Sequence, residues 1–132
     1  MKNIKYVFIG GFLGAICRNI LFHIPFLNGA GIFPINTISV NLLGCFFLSL
    51  AAHLAEKKVS LKAELHSALT TGFLGAFTTF STFSKNSVDL IQKSGFFLFL
   101  IYVLISLIGG FLCVYAGYVL SLKFTDKKAD IY

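Results

Sequence analysis

The chain alternates long apolar runs with short polar stretches. Four runs cover roughly residues 4–22, 35–54, 65–91 and 96–122, and a helix needs about 20 residues to cross a bilayer. The pattern therefore predicts an all-α integral membrane protein with four transmembrane helices. Because the remaining stretches are too short to fold alone, residues 1–132 are predicted to form a single domain.

Composition supports a membrane class and argues against nucleic-acid binding. Of the 132 residues, 57% are hydrophobic and only 12% are charged, and the mean hydropathy is +0.86. Such values are typical of integral membrane proteins. The net charge is +6, but the basic residues flank apolar runs and form no soluble basic face. We therefore expect the lipid bilayer, and no nucleic acid, among the partners.

The potentially reactive side chains follow no catalytic or metal-binding pattern. The cysteines lie within apolar runs without metal-ligand spacing, and the histidines stand alone near run ends. These residues are Cys17, Cys45, Cys113, His23, His53 and His66. The sequence also contains no evident nucleophile–base pair, so it does not predict an enzyme.

The third run is interrupted between Gly72 and Phe83. This stretch reads Gly-Phe-Leu-Gly-Ala-Phe-Thr-Thr-Phe-Ser-Thr-Phe, with two glycines, four hydroxyl residues and four phenylalanines. Within a membrane, backbone that leaves the helix is tolerated where it is buried in protein or lines a polar cavity. We therefore predict that the third helix is broken mid-membrane, with carbonyl groups and phenylalanine ring edges available to ions.

Two polar side chains in the other runs each allow two interpretations. Arg18 lies near the end of the first run, where it could snorkel to the interface or line a water-filled vestibule. Asn41 lies inside the second run, where its amide could make an interhelical hydrogen bond or donate to an anion in a pathway. The sequence leaves both choices open.

The fourth run carries polar and small residues on nearly one helical face. Spacings of three or four place them on neighbouring turns. They are Tyr102, Ser106, Gly109 and Gly110. This face is interpreted either as a polar stripe or as a seam where two helices pack closely.

Several of these features together resemble the CrcB, or Fluc, family of bacterial fluoride channels. They are the early glycines with Arg18, Asn41 followed by Gly44, and the 72–83 stretch. The resemblance covers essentially the whole chain, and its most specific part is the Thr-Thr-Phe-Ser-Thr-Phe sequence. It implies a four-helix subunit that forms an antiparallel dimer in the bacterial cell membrane. The dimer would export fluoride passively and so lower fluoride toxicity in the cytoplasm.

The resemblance also implies roles for individual residues. A structural Na⁺ at the dimer interface would be held by the backbone carbonyl groups of Gly75 and Thr78 from both subunits. Arg18 matches the vestibule arginine. The fluoride pathway would pass five side chains, namely Asn41, Phe80, Phe83, Tyr102 and Ser106. Two positions depart from the family pattern: Gly110 replaces a pathway hydroxyl, and Asn86 stands where many relatives carry glutamate.

Phenylalanine rings suit fluoride for a physical reason. The edge of an aromatic ring carries partial positive charge, and Phe80 and Phe83 are three residues apart, so both can approach one line on a helix. Asn41 adds N–H donors. None of these groups carries a full charge, which allows an ion both to bind and to leave. Because the chain has 16 phenylalanines, simple packing of the two rings is the alternative.

Two other functions are open alternatives. A small multidrug-type exporter also has four helices and antiparallel dimers, but it needs an acid within the membrane to exchange protons for its substrate. The five acids lie in loops, in the tail or near a run end: Glu56, Glu64, Asp89, Asp126 and Asp130. The other alternative is a non-transporting membrane assembly protein, which a flux measurement would distinguish.

The distribution of lysine and arginine predicts one fixed orientation. Of the 11 such residues, eight share one side of four spans: Lys2, Lys5, Lys57, Lys58, Lys62, Lys123, Lys127 and Lys128. At most three, Lys85, Lys93 and Arg18, lie toward the other side. The positive-inside rule then puts both termini in the cytoplasm. Because subunits of a single orientation cannot form an antiparallel homodimer, we hypothesise a heterodimer with a CrcB-like paralogue of opposite charge bias.

Overall fold

The structure, a computed structural model, consists of helices and short connections over the residues that it describes, which are 3–24, 33–56 and 62–129. Helix α1 covers Asn3–Phe22, and α2 covers Ile35–Glu56. A third segment, residues 63–94, is composed of α3 (Ala63–Ser67), a π-helix (Ala68–Leu74), α4 (Gly75–Phe77) and α5 (Phe80–Ser94). Helix α6 covers Phe96–Ala129.

Among the described residues, three helices are long and apolar enough to cross a membrane, namely Ile4–Phe22, Ile35–Ala55 and Phe96–Phe124. They correspond to the first, second and fourth predicted spans. The third predicted span falls on the third segment, which is not one continuous helix. Helix α6 continues to Ala129, beyond the predicted end at Leu122, because no glycine or proline follows to stop it.

Helix α1 and the third segment lie side by side and run in the same direction. Near the start of both, Gly10 contacts the backbone of Ala68, and further along, Arg18 reaches the Thr78 carbonyl oxygen. Helix α2 comes between these two parallel segments in the chain order, so it runs in the direction opposite to both. The third segment therefore returns in the direction of α1, as a four-span topology requires.

Helices α2 and α6 form a second parallel pair. Leu42 packs at Gly109, and the Ser49 hydroxyl donates a hydrogen bond of 2.8 Å to the Val114 carbonyl oxygen. A methyl group at Gly117 would overlap the backbone of α2. Small residues allow such close approach between membrane helices. The part of the α6 face that carries Gly109 is therefore a close-packing seam.

Most large apolar side chains face outward. Phe8 on α1 and Leu107 and Phe111 on α6 are 74%, 65% and 73% exposed. The interior is small, and Leu90 and Tyr102 are among its fully buried side chains. A soluble monomer rarely exposes apolar surface on this scale. The outer surface is therefore suited to lipid or to another helical chain.

Candidate ion pathway at the helix break

The third segment leaves the helical conformation at two consecutive threonines. Thr78 has φ −73° and ψ 157°, and Thr79 has φ −144° and ψ 110°, which are extended conformations. The Thr79 side chain caps α5 by accepting a hydrogen bond of 3.1 Å from the Thr82 N–H, as an N-cap threonine does. The hydroxyl and N–H groups of Thr78 both donate to the Leu74 carbonyl oxygen, at 3.0 and 3.1 Å. One helix thus ends and another begins within two residues.

Asn41 braces this break with two hydrogen bonds to the Thr79 backbone. Its Oδ1 accepts from the Thr79 N–H at 2.8 Å, and its Nδ2 donates to the Thr79 carbonyl oxygen at 3.2 Å. Backbone groups at helix ends need such partners because no helix satisfies them. The interhelical hydrogen bond that the sequence left open is therefore formed. The amide also has a second N–H, which takes part in neither of these two bonds.

Arg18 lies beside the break and lines a polar cavity of about 300 Å³. Its side chain is half-buried, and its Nη1 is 3.5 Å from the Thr78 carbonyl oxygen. The other walls of the cavity are Asn19, Phe22, His23, Thr79, Ser81 and Thr82. A guanidinium group, hydroxyl groups and the N-terminus of α5 all favour an anion. Arg18 therefore lies at the edge of a polar cavity beside the break, and its role as the vestibule arginine stays a prediction.

Three aromatic rings form a row from the break to α6. The ring centroids of Phe80 and Phe83 are 6.0 Å apart with 30° between their planes, and Phe83 lies 5.1 Å from Tyr102 at 25°. Phe83 also packs against the apolar core that contains Leu90, whereas Phe80 is 80% exposed. The two predicted pathway rings therefore lie side by side, and the described residues leave Phe80 largely uncovered.

A polar cluster of Thr37, Asn86 and Tyr102 adjoins this row. The Asn86 Nδ2 donates a hydrogen bond of 2.8 Å to the Thr37 hydroxyl. The Asn86 side chain also lies near the Tyr102 hydroxyl, but within the described residues that buried hydroxyl has no partner of regular hydrogen-bond geometry. It is thus a donor that an anion could use. Sequence spacing did not reveal this cluster, since Thr37 and Asn86 come from different segments.

Ser106 and Gly110 lie farther along α6. The Ser106 hydroxyl donates to the Tyr102 carbonyl oxygen at 2.8 Å, so an anion at Ser106 would have to compete for this proton. A Cβ atom at Gly110 would lie 3.7 Å from the Cys45 sulfur. The neighbour of Gly110 on α2 is therefore a thiol.

The predicted cation ligands lie just before and at the break. Gly75 is exposed, and the Thr78 carbonyl oxygen faces Arg18 on one side. A carbonyl oxygen has a second lone pair, which is the one that a cation would use. Hard cations take about six oxygen ligands, so two carbonyl groups from one chain do not complete a shell. A cation here would need further ligands, such as those of a second chain.

Comparison with known proteins agrees with the motifs at the break. The family model described as "CrcB-like protein, Camphor Resistance (CrcB)" matches residues 5–118. A "Fluoride-specific ion channel FluC 2" of Listeria innocua is 40% identical over 124 residues, which are 94% of each chain. The protein of the same name from Listeria monocytogenes is 38% identical over 122 residues, 92% of each chain. A "Fluoride-specific ion channel FluC 1" of Staphylococcus aureus is 43% identical over 112 residues, 85% of this chain and 90% of the relative.

The family match extends well beyond the break and reaches into all four predicted spans. The family model alone covers more than half of the chain. The chain therefore belongs to the CrcB family.

Proposed function

We propose that this chain is a subunit of a passive, fluoride-selective channel that lets fluoride leave the cell across the cytoplasmic membrane. The observation that carries the proposal is the helix break, where Asn41 and Arg18 meet Thr78 and Thr79 immediately before Phe80 and Phe83. The relatives named as fluoride-specific channels support the same function. A channel, and not an enzyme, accounts for the apolar fold and the polar groups at its break.

The proposed pathway begins at the cavity beside Arg18 and continues past Asn41. It then follows the edges of Phe80 and Phe83 to the Tyr102 hydroxyl and Ser106. Fluoride is small and holds its water strongly, so its replacement ligands must be compact and electropositive. N–H and O–H donors and aromatic ring edges meet this need. Because only Arg18 is a full charge, the ion can bind and still leave.

The exposed groups at the break support an antiparallel dimer. Phe80 is 80% exposed, and Gly75 is exposed as well. A two-fold axis near the break would cover Phe80 and would bring the carbonyl groups of Gly75 and Thr78 from two chains together. We propose that these carbonyl groups hold a structural Na⁺, because oxygen is the ligand that hard cations prefer.

The positions of the acids argue against a proton-coupled exporter. Glu64 lies in the first turn of α3. Asp89 forms an exposed ion pair of 3.3 Å with Lys93, close to the end of α5. The side chains of the other three acids, Glu56, Asp126 and Asp130, lie outside the described part of the structure. The sequence places those three beyond or at the ends of the spans, where they could not exchange protons within the membrane.

We predict passive fluoride efflux from liposomes that contain this chain together with a CrcB-like paralogue, with strong rejection of chloride. A fluoride electrode would record efflux down a fluoride gradient without a proton gradient. Empty liposomes are the control. Comparable chloride flux, or a requirement for a proton gradient, would contradict the channel assignment, and the absence of any flux would favour an assembly role.

Phe80→Ile and Phe83→Ile are each predicted to reduce fluoride flux by at least about tenfold, equivalent to about 1.4 kcal/mol. Each change removes a ring edge but keeps much of the volume. Phe83→Ile also costs about 1–2 kcal/mol of packing, since Phe83 contacts the core. Phe111→Ile is the matched control, because Phe111 is 73% exposed and does not belong to the row of Phe80, Phe83 and Tyr102. If both variants conduct like Phe111→Ile, the two rings only pack.

Asn41→Asp is predicted to inhibit flux while the protein still assembles. Aspartate can accept the Thr79 N–H, but it cannot donate to the Thr79 carbonyl oxygen, and it adds a negative charge beside the anion. Asn41→Leu removes both hydrogen bonds without adding charge and therefore separates bracing from electrostatics. Flux in Asn41→Asp equal to that of the parent would make Asn41 a brace that lies off the pathway.

The pairing of subunits remains a proposal that rests on charge. Several lysines of the basic side, among them Lys2, Lys57 and Lys58, lie outside the described residues. The charge asymmetry between the two sides is therefore taken from their positions in the sequence. The relatives carry the names FluC 1 and FluC 2, which is the numbering expected of paralogues. We propose a heterodimer in which a paralogue supplies the opposite orientation.

We predict that the chain expressed alone inserts with both termini in the cytoplasm and conducts no fluoride. Cysteine labelling of the termini from either side of the membrane would measure orientation, and liposome efflux would measure conduction. Coexpression with a CrcB-like paralogue should restore flux. Mixed orientation together with full conduction by the lone chain would refute the heterodimer.

A further inference from the structure

The contact between α1 and the π-helix is made backbone to backbone. A Cβ atom at Gly10 would overlap the Ala68 carbonyl oxygen, and one at Gly14 would overlap the Phe73 carbonyl oxygen. From the opposite side, a Cβ atom at Gly72 would lie 2.6 Å from a carbonyl oxygen of α1. Because the atoms in contact belong to backbone, no flexible side chain can move aside to relieve an added methyl group.

The π-helix determines how the rest of the third segment is rotated. It covers seven residues, Ala68–Leu74, although most π-helices are single turns and many of those lie at functional sites. A π turn contains more than the 3.6 residues of an α-helical turn. Every residue after it is therefore rotated relative to its place in a continuous α-helix. The directions of the carbonyl groups at the break depend on whether this π-helix is kept.

Hydrogen bonds connect the π-helix to both candidate cation ligands. The Gly75 N–H donates to the Thr70 carbonyl oxygen, five residues earlier, and to that of Gly72. The N–H and hydroxyl groups of Thr78 both donate to the carbonyl oxygen of Leu74, the last π residue. If the π-helix shifted relative to α1, Gly75 and Thr78 would therefore move with it.

We propose that Gly10 and Gly14 are positioning residues of the channel. They leave space for the Ala68 and Phe73 carbonyl groups to pack against α1. This contact holds the π-helix in place and so fixes the direction of the carbonyl groups at the break. The two glycines contact neither fluoride nor the cation and act only through the π-helix. This inference rests on the proposed function, since it concerns the cation site assigned there.

Alanine substitutions along this contact give a graded test. Gly10→Ala and Gly14→Ala create an overlap, and Gly72→Ala creates a milder one. Gly11→Ala is the matched control on the same helix, because its Cβ atom would lie 3.8 Å from the nearest atom, an ordinary contact. Gly10, Gly11 and Gly14 all lie within α1, so alanine improves the helix propensity of each position.

The measurement is fluoride efflux from liposomes that hold the conducting channel, as Na⁺ is replaced stepwise by K⁺. We expect Gly10→Ala and Gly14→Ala to raise the Na⁺ concentration for half-maximal flux by about 10–100-fold, as changes to the supports of metal ligands do. Gly72→Ala should raise it less, and Gly11→Ala should match the parent. A purely structural role would lower yield and thermal stability but would not move the Na⁺ dependence of the assembled protein.

The parent channel is measured first, because its result separates the possible failures. A parent without fluoride flux contradicts the proposed function. A parent with flux that is independent of Na⁺ contradicts the cation site and, with it, this inference. Where the parent shows both properties, the inference is overturned if the three contact variants match Gly11→Ala in Na⁺ dependence. It is also overturned if those three fail to assemble while Gly11→Ala assembles, because the contact then serves folding alone.

Discussion

Backbone groups that leave a helix within a bilayer must find partners inside the protein, and this requirement organises the region around Thr78 and Thr79. Asn41 satisfies both the N–H and the carbonyl oxygen of Thr79, and the Thr79 side chain caps α5. Because Asn41 belongs to α2, this helix must lie beside the break. The position of α2 in turn places α6, through the close contacts at Gly109 and Gly117. A local backbone requirement thus propagates to the arrangement of the helices.

Close packing between membrane helices explains where the glycines of this chain are concentrated. Lipid provides no hydrophobic force between membrane helices, so they associate through close packing and interhelical hydrogen bonds. Helix α1 uses Gly10 and Gly14 for this purpose, and α6 uses Gly117. Most of the large apolar side chains point outward, where lipid or a partner subunit replaces the core of a soluble protein. A small buried core is therefore sufficient for this fold.

The sequence predicts some of these features and not others, for identifiable reasons. Three spans follow from hydrophobic length, and a departure from the helix near Thr78 follows from consecutive hydroxyl residues within an apolar run. The π-helix could not be predicted, because its residues have no propensity that separates it from an α-helix. The contact between Asn86 and Thr37 joins residues from two segments and becomes visible only in three dimensions. Asn41 had two interpretations, and the structure shows the interhelical hydrogen bonds to Thr79, while the role in the pathway stays a prediction.

The charge pattern at the break favours conduction over tight binding. Among the described residues, Arg18 brings a full charge to the break, and it faces the Thr78 carbonyl oxygen at the edge of the polar cavity. Beyond it, the proposed pathway has only an amide, ring edges and hydroxyl groups. A charged group among these rings would hold fluoride by several kcal/mol more in a medium of low dielectric constant, and release would then become slow. Neutral donors allow an anion that the guanidinium attracts to pass from one weak site to the next. The exposure of Phe80 adds a further condition, because a ring edge can replace water around the ion only when the opposite side of the ion is also closed to water.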